Sequence, residues 1–184
     1  MTVAIAILAA GGATRFGGGK LDAPLAGKPL GRWALEAALA VPHERLAVVA
    51  GEAAPAFAGG CEVLFNRRAA AGIGTSVALA ADWASGSEAL LIVLADMPLI
   101  SPGTLRKIVA SPGAAAVAYP GERAGVPAKF PAALFLALKA LRGDSGAAQF
   151  LRGLPNVTLI EAGSGELRDV DRPEDLAEVA ALLA

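Results

Sequence analysis

The sequence predicts a three-layer α/β fold on a mostly parallel, Rossmann-like sheet, and three observations lead there. First, short, largely apolar runs recur at residues 3–10, 46–50, 61–65, 89–95, 114–119 and 157–160, the first of them without polar alternation. Runs of this kind read as strands covered on both faces. Second, amphipathic or alanine-rich stretches separate most of them, which is the alternation of a parallel sheet wrapped by helices. Third, 184 residues suffice for one α/β domain with a sizeable core and are too few for two ordinary ones. Residues 1–184 are therefore expected to form a single domain.

Composition narrows the function. A net charge of −1 gives no electrostatic case for a nucleic-acid partner. Apolar residues make up 55% and the mean hydropathy is +0.55, which raises the question of a membrane. No uninterrupted apolar run approaches the ~18 residues of a spanning helix, so no membrane partner is expected. The first cation, Arg15, follows the N-terminal apolar stretch instead of preceding it, unlike a secretory signal. Cys61 is the only cysteine and has no internal partner, so a cytoplasmic location is expected. There are no internal repeats and no charge runs.

The first strand runs into Gly11-Gly12-Ala13-Thr14-Arg15-Phe16-Gly17-Gly18-Gly19-Lys20. Glycines let backbone approach a ligand and aim successive N–H groups at it, and Arg15 and Lys20 add positive charge. A polyphosphate suits such a loop; a flexible turn is the plainer alternative. It is not a Walker loop, because Leu21 and Asp22 follow Lys20. Nor is it a dinucleotide fingerprint, because no G-x-G-x-x-G opens a helix.

Residues 29–40 read as a helix, with Pro29 in its first turn and Pro42 beyond its end. His43, the only histidine, reads as a solvent-facing turn residue. In the stretch 66–76, Thr75 or Ser76 is expected to cap a helix over 77–84, and such a helix start can also receive a polar ligand edge. The strand at 89–95 runs into Asp96-Met97-Pro98. A carboxylate at the carboxyl end of a buried parallel strand faces the ligand crevice, and its oxygens suit Mg²⁺. The alternative is a cap for the helix expected near Pro102. Residues 131–141 read as an amphipathic helix. Pro173 is expected as the first residue of the last helix, with Glu174 and Asp175 at its positive end. Asp171 could be its N-cap by the same logic.

The spacing L-A-A-G-x-x-x-R-F-G-G-x-K, followed by P-L-x-G-K-P-L over 24–30, resembles the signature of the MobA-like nucleotidyltransferases, and most closely their molybdenum cofactor cytidylyltransferase branch. Asp96-Met97-Pro98, Gly125-Val126-Pro127, Gly143-Asp144-Ser145-Gly146 and Asp169-Val170-Asp171 match further family segments in family order. Ala13 and Asp22 depart from the family pattern in the loop. Ser145 and Ala148 stand where the family has Lys and Arg, which leaves the acceptor's identity open.

This resemblance implies a nucleotidyltransferase domain that moves a nucleoside monophosphate, CMP from CTP, onto a phosphorylated acceptor such as molybdopterin, releasing pyrophosphate. Leu8-Ala9-Ala10-Gly11 is the cytidylyl form of the loop; the guanylyl form would imply GTP. The implied catalytic residues are Arg15, Lys20 and Asp96, with Mg²⁺ held by Asp96 and Asp171. The implied nucleotide site comprises Leu8, Ala9, Ala10, Gly11, Gly12, Arg15, Gly17 and Lys20 from the loop, and Asn66, Gly72, Thr75 and Ser76 from the base pocket. Pro127, Gly143, Asp144 and Gly146 are implied to meet the acceptor. A molybdoenzyme is an implied partner. Two other readings stay open: a sugar-phosphate nucleotidyltransferase of the same fold, and a non-catalytic nucleotide-binding protein in molybdoenzyme maturation.

Overall fold

The computed structural model describes residues 1–11 and 16–183; the expectations for Gly12 and Arg15 lie outside the described residues. Strand β1 (Val3–Leu8) is buried along its whole length. Val3, Ile5 and Ile7 enter one core, and Ala4, Ala6 and Leu8 enter another. That split is what period-two alternation gives a strand with both faces covered.

β2 (Pro24–Leu25) and β3 (Lys28–Pro29) form a small hairpin. The main strands are β4 (Arg45–Ala50), β5 (Glu62–Phe65), β6 (Ala89–Leu94), β7 (Ala115–Tyr119), β8 (Arg123–Pro131) and β9 (Thr158–Ile160). Among the described residues they join β1 in a seven-stranded sheet of order β5-β4-β1-β6-β8-β7-β9. Only β8 runs against the others.

Helices α1 (Leu30–Leu39) and α3 (Pro102–Ala110) cover one face through Leu35, Ala38, Leu105 and Ile108. Helices α2 (Ile73–Trp83), α4 (Phe135–Lys139) and α5 (Ala147–Arg152) cover the other through Val77, Ala80, Leu138 and Leu151. Val179 of α6 (Asp175–Leu183) packs with Leu25, Leu30 and Val170. The predicted three-layer arrangement is therefore present.

The differences are local. The sequence does not announce β8, because Gly125, Pro127 and Lys129 interrupt its apolar pattern. Its pairing with β7 jumps from Ala116↔Ala128 to Val117↔Gly125, so Val126 and Pro127 sit in an irregularity where a missing N–H is tolerated. The expected helix over 131–141 is instead a 3₁₀ turn, Ala132–Leu134, followed by α4. The short α5 follows a glycine-rich segment and gives no periodic signal.

Helix α2 begins at Ile73, after Gly72 at φ +107°. Thr75 and Ser76 therefore lie inside its first turn, and neither is the cap. Helix α3 is capped by Ser101, whose Oγ accepts from Thr104 N at 3.1 Å, so Asp96 is not its cap. Helix α6 begins two residues past Pro173, at Asp175. The Asp175 carboxylate accepts from the N–H groups of Asp171 (2.8 Å) and Arg172 (2.7 Å). That bond, with the helix start at Asp175, removes the N-cap reading of Asp171.

Candidate active site

Strands β1 and β6 are parallel neighbours that end together, Leu8 opposite Leu94. The chain leaving β1 also leans on β4, through Ala9 N donating to Val49 O at 2.8 Å. A crevice at the carboxyl ends of such strands is the usual ligand position of an open α/β sheet. Asp96 follows directly on β6. Its carbonyl accepts from Val170 N at 3.0 Å, which docks segment 169–171 beside it. Val170 is fully buried, and alternation sends its neighbours Asp169 and Asp171 away from that core.

Lys20 closes the group. Its Nζ donates to Asp96 Oδ2 at 2.8 Å and lies 3.6 Å from Asp171 Oδ1. The Lys20 side chain is only 11% exposed, so the ammonium sits between the carboxylates and does not wave in solvent. The loop delivers it there through Gly17, Gly18 and Gly19, three successive residues with positive φ, a path L side chains rarely take. Asp22, which departs from the family pattern, has a structural task. It accepts from the N–H groups of Ala56 and Phe57, each at 2.9 Å, anchoring the turn behind Lys20.

Among the described residues the site carries more negative than positive charge. Burial raises the Asp169 carboxyl above its ordinary value, and the charges of Asp96 and Asp171 raise it further. Burial, then Asp169 and Asp96, likewise raise the Tyr119 phenol. Among the described residues no group of three or more His, Cys, Asp or Glu forms a ready metal cage. Asp96 and Asp171, gathered on one ammonium, fit a hard divalent cation that takes its remaining ligands from water and substrate oxygens.

A cleft of about 320 Å³ opens beside this group. Of the expected nucleotide residues, Leu8, Ala9, Ala10, Gly11, Lys20, Gly72 and Ser76 line it, together with Asp96. Leu21, Ala69, Ile73 and Leu94, which the sequence did not single out, complete the wall. Gly17 lies outside that lining. Thr75 stands behind it, and Asn66 lines an adjoining cleft together with Ala9, Ala10 and Gly11. Asn66 Nδ2 donates to Thr75 Oγ1 (2.8 Å) and Ser76 Oγ (2.9 Å), and Asn66 Oδ1 accepts from Arg68 N. The Thr75 hydroxyl turns to the carbonyls of Arg68 and Gly72. These two residues hold the loop, while Ser76 faces the cleft.

Gly72 joins the two halves of the site. A Cβ there would stand 2.3 Å from the Gly143 carbonyl, and Gly74 N donates to Gly143 O at 2.9 Å. Gly143 is thus a packing surface for the start of α2. Asp144 and Gly146 line a second cleft, of about 380 Å³, which shares Leu8, Ile73 and Leu94 with the first. Pro127 is buried in β8 beside Val126, which lines that cleft. Tyr119, Arg123, Gln149 and Arg152 also line it. No linear pattern gathers these four, because the contacts are between distant elements. His43 bonds to Val41 O and lines neither cleft.

A family model described as the MobA-like NTP transferase domain matches residues 5–159. The chain is 33% identical over 186 residues to the purine catabolism protein PucB of Bacillus subtilis (strain 168), covering 91% of each. Among solved structures it resembles Rv0371c from Mycobacterium tuberculosis H37Rv, with a TM-score of 0.82 at 23% identity over 98% of this chain and 99% of that one. Another structure of Rv0371c, described as a complex with manganese, has a TM-score of 0.79 at 24% identity over 98% of this chain and 99% of that one. A CMP:2-keto-3-deoxy-manno-octonic acid synthetase complexed with CTP has a TM-score of 0.74 at 15% identity, over all of this chain and 98% of that one.

Proposed function

The chain belongs to the MobA-like NTP transferase family and is a nucleotidyltransferase; from that premise we propose that it transfers CMP from CTP to a phosphorylated acceptor, molybdopterin, at the Lys20–Asp96–Asp171 group. The observation that carries this reading is the convergence of Asp96 and Asp171 on Lys20 beside a glycine-lined cleft.

Transfer at phosphorus needs positioning and neutralisation of charge more than an acid or a base. Backbone N–H groups from Gly11 onward, with Arg15, are assigned to the β- and γ-phosphates. Lys20, released from Asp96, meets the α-phosphate and stabilises the charge that builds there. Asp96 and Asp171 would hold Mg²⁺, which when bound would supply Lewis-acid stabilisation of phosphate charge. The manganese in the mycobacterial neighbour is consistent with a divalent metal on this fold.

The preference for CTP draws on Ala10, which lines the cleft. A methyl group there would favour a cytosine over a bulkier purine. Ser76, fixed by Asn66, offers a hydroxyl to the base or ribose edge. The CTP bound to the octonic acid synthetase supports a cytidylyl reading of the fold. A chain of this family with Lys20, Asp96 and Asp171 together is read as an active enzyme, not as a silent nucleotide-binding partner. The test is incubation with molybdopterin, Mg²⁺ and each NTP, with the product weighed by mass spectrometry. Formation of the cytosine dinucleotide, with kcat/KM for CTP at least about tenfold above GTP, supports the assignment. Equal use of both, or a preference for GTP, rejects the cytidylyl reading. Absence of any dinucleotide and of pyrophosphate rejects the acceptor.

A further inference from the structure

The second cleft carries two cations that the proposed nucleotide chemistry does not use. Arg123 comes from the start of β8, directly opposite Tyr119 of β7. Arg152 comes from the last residue of α5. They are distant in sequence, yet both line the same cleft. Their bonds run to backbone carbonyls: Arg123 Nε donates to Pro120 O at 3.1 Å, and Arg152 Nε to Ala148 O at 3.3 Å. Among the described residues neither has a carboxylate within salt-bridge distance. Those bonds orient each guanidinium through one N–H and leave its other donors available.

Arg152 has a further significance. Side chains on a helix lean toward its N-terminus, so a residue at i+4 reaches back over position i. The bond from Arg152 Nε to Ala148 O shows this lean. The guanidinium therefore stands over Ala148, a cleft-lining position that has no charge of its own.

Asp144 and Gln149 are the other polar side chains of the lining, and the rest of the cleft is mostly apolar. Leu8, Ile73, Leu94 and Val126 form walls, and the Tyr119 ring flanks them. A small molecule that fits has a flat, weakly polar body and one anionic group, and the shared wall sets it against the nucleotide cleft.

We propose that Arg123 and Arg152 form the anion seat of the acceptor subsite, gripping the acceptor's phosphate while the apolar walls and Tyr119 take its ring. The proposal rests on the reading of the neighbouring cleft as the nucleotide site. It also bears on the acceptor's identity, left open by Ser145 and Ala148: the charge absent from positions 145 and 148 is supplied from 123 and 152.

The test uses phenyl phosphate as a minimal ring-plus-phosphate probe, with phenol as the ring alone. The full chain is first saturated with Mg²⁺ and α,β-methylene-CTP, so that phosphate cannot enter the nucleotide cleft. Binding is then followed by calorimetry and by amide shifts over 119–126 and 144–152. Expected is one phenyl phosphate per chain and much weaker binding of phenol. Arg123→Gln and Arg152→Gln should each weaken phenyl phosphate about tenfold, the loss of a charge-assisted bond. Arg152→Lys should recover part of the loss, and the affinity for the CTP analogue should stay unchanged. Equal binding of phenyl phosphate and phenol overturns the proposal, as does wild-type affinity in both Gln variants. If the CTP analogue itself does not bind, the nucleotide reading fails. The same titration without it then still decides the arginines, by the same tenfold loss or its absence.

Discussion

Lys20 is the residue on which the site turns. One ammonium holds carboxylates from two separate segments, Asp96 after β6 and Asp171 before α6. Loss of its charge should be felt most as the α-phosphorus is attacked. Lys20→Ala is expected to lower kcat by roughly 10²-fold or more, with a smaller effect on NTP binding. Steady-state kinetics with equilibrium nucleotide titration separates the two; an unchanged kcat with a raised KM would make Lys20 a ground-state anchor only. The glycine loop and Asp96 were legible in the sequence, because each directly follows an apolar strand. Asp22 and Thr75 were less so. Their side chains serve hydrogen bonds to residues 56–57 and to Arg68, and such partners are visible only once the chain is folded. Tyr119 escaped for the same reason: it meets the second cleft beside residues of distant elements, and its hydroxyl donates to Val126 O.

At the scale of elements, the start of α2 and strand β8 show where local pattern and tertiary demand diverge. Thr75 and Ser76 look like caps by composition, but Gly72 takes the turn, because only a glycine accepts φ +107° with a carbonyl so close. Gly72→Ala should therefore destabilise the chain by about 1–3 kcal/mol, measured by denaturant melts; an unchanged midpoint would mean that the 143–146 segment yields freely. In β8, Lys129 is 2% exposed and donates to the carbonyls of Val109 and Ser111, so it closes the carboxyl end of α3. A lysine in the middle of a strand argues against a buried position, which is one reason β8 was not foreseen. Burial lowers its ammonium below the ordinary lysine value of 10.5. The folded chain then releases this proton before the unfolded chain does, so stability rises with pH between the lowered value and 10.5. The stability of the wild type relative to Lys129→Met should accordingly grow as pH climbs from neutral through that window, and a flat difference would contradict the assignment.

On the scale of the whole molecule, the sheet order sets the site. Strands β4, β1 and β6 lie side by side and parallel, their carboxyl ends open to one edge, and that is where Gly11, Lys20, Asp96 and the docked Asp171 meet. Buried apolar runs made the parallel strands and the layer arrangement readable in advance. The reversed strand and the short helices α4 and α5 were not, since they depend on packing more than on pattern. As a result the residues that line the cleft beside Lys20 had largely been named from the sequence. The second cleft was foreseen only at Asp144 and Gly146. The central claim is that this meeting point performs nucleotidyl transfer through Asp96. The most direct measurement is pyrophosphate release from CTP with Mg²⁺ and molybdopterin, comparing the wild type with Asp96→Asn at matched thermal stability. The account predicts steady release by the wild type and none above background for the variant, a loss of several kcal/mol of transition-state stabilisation. A variant that releases pyrophosphate at near the wild-type rate would contradict it.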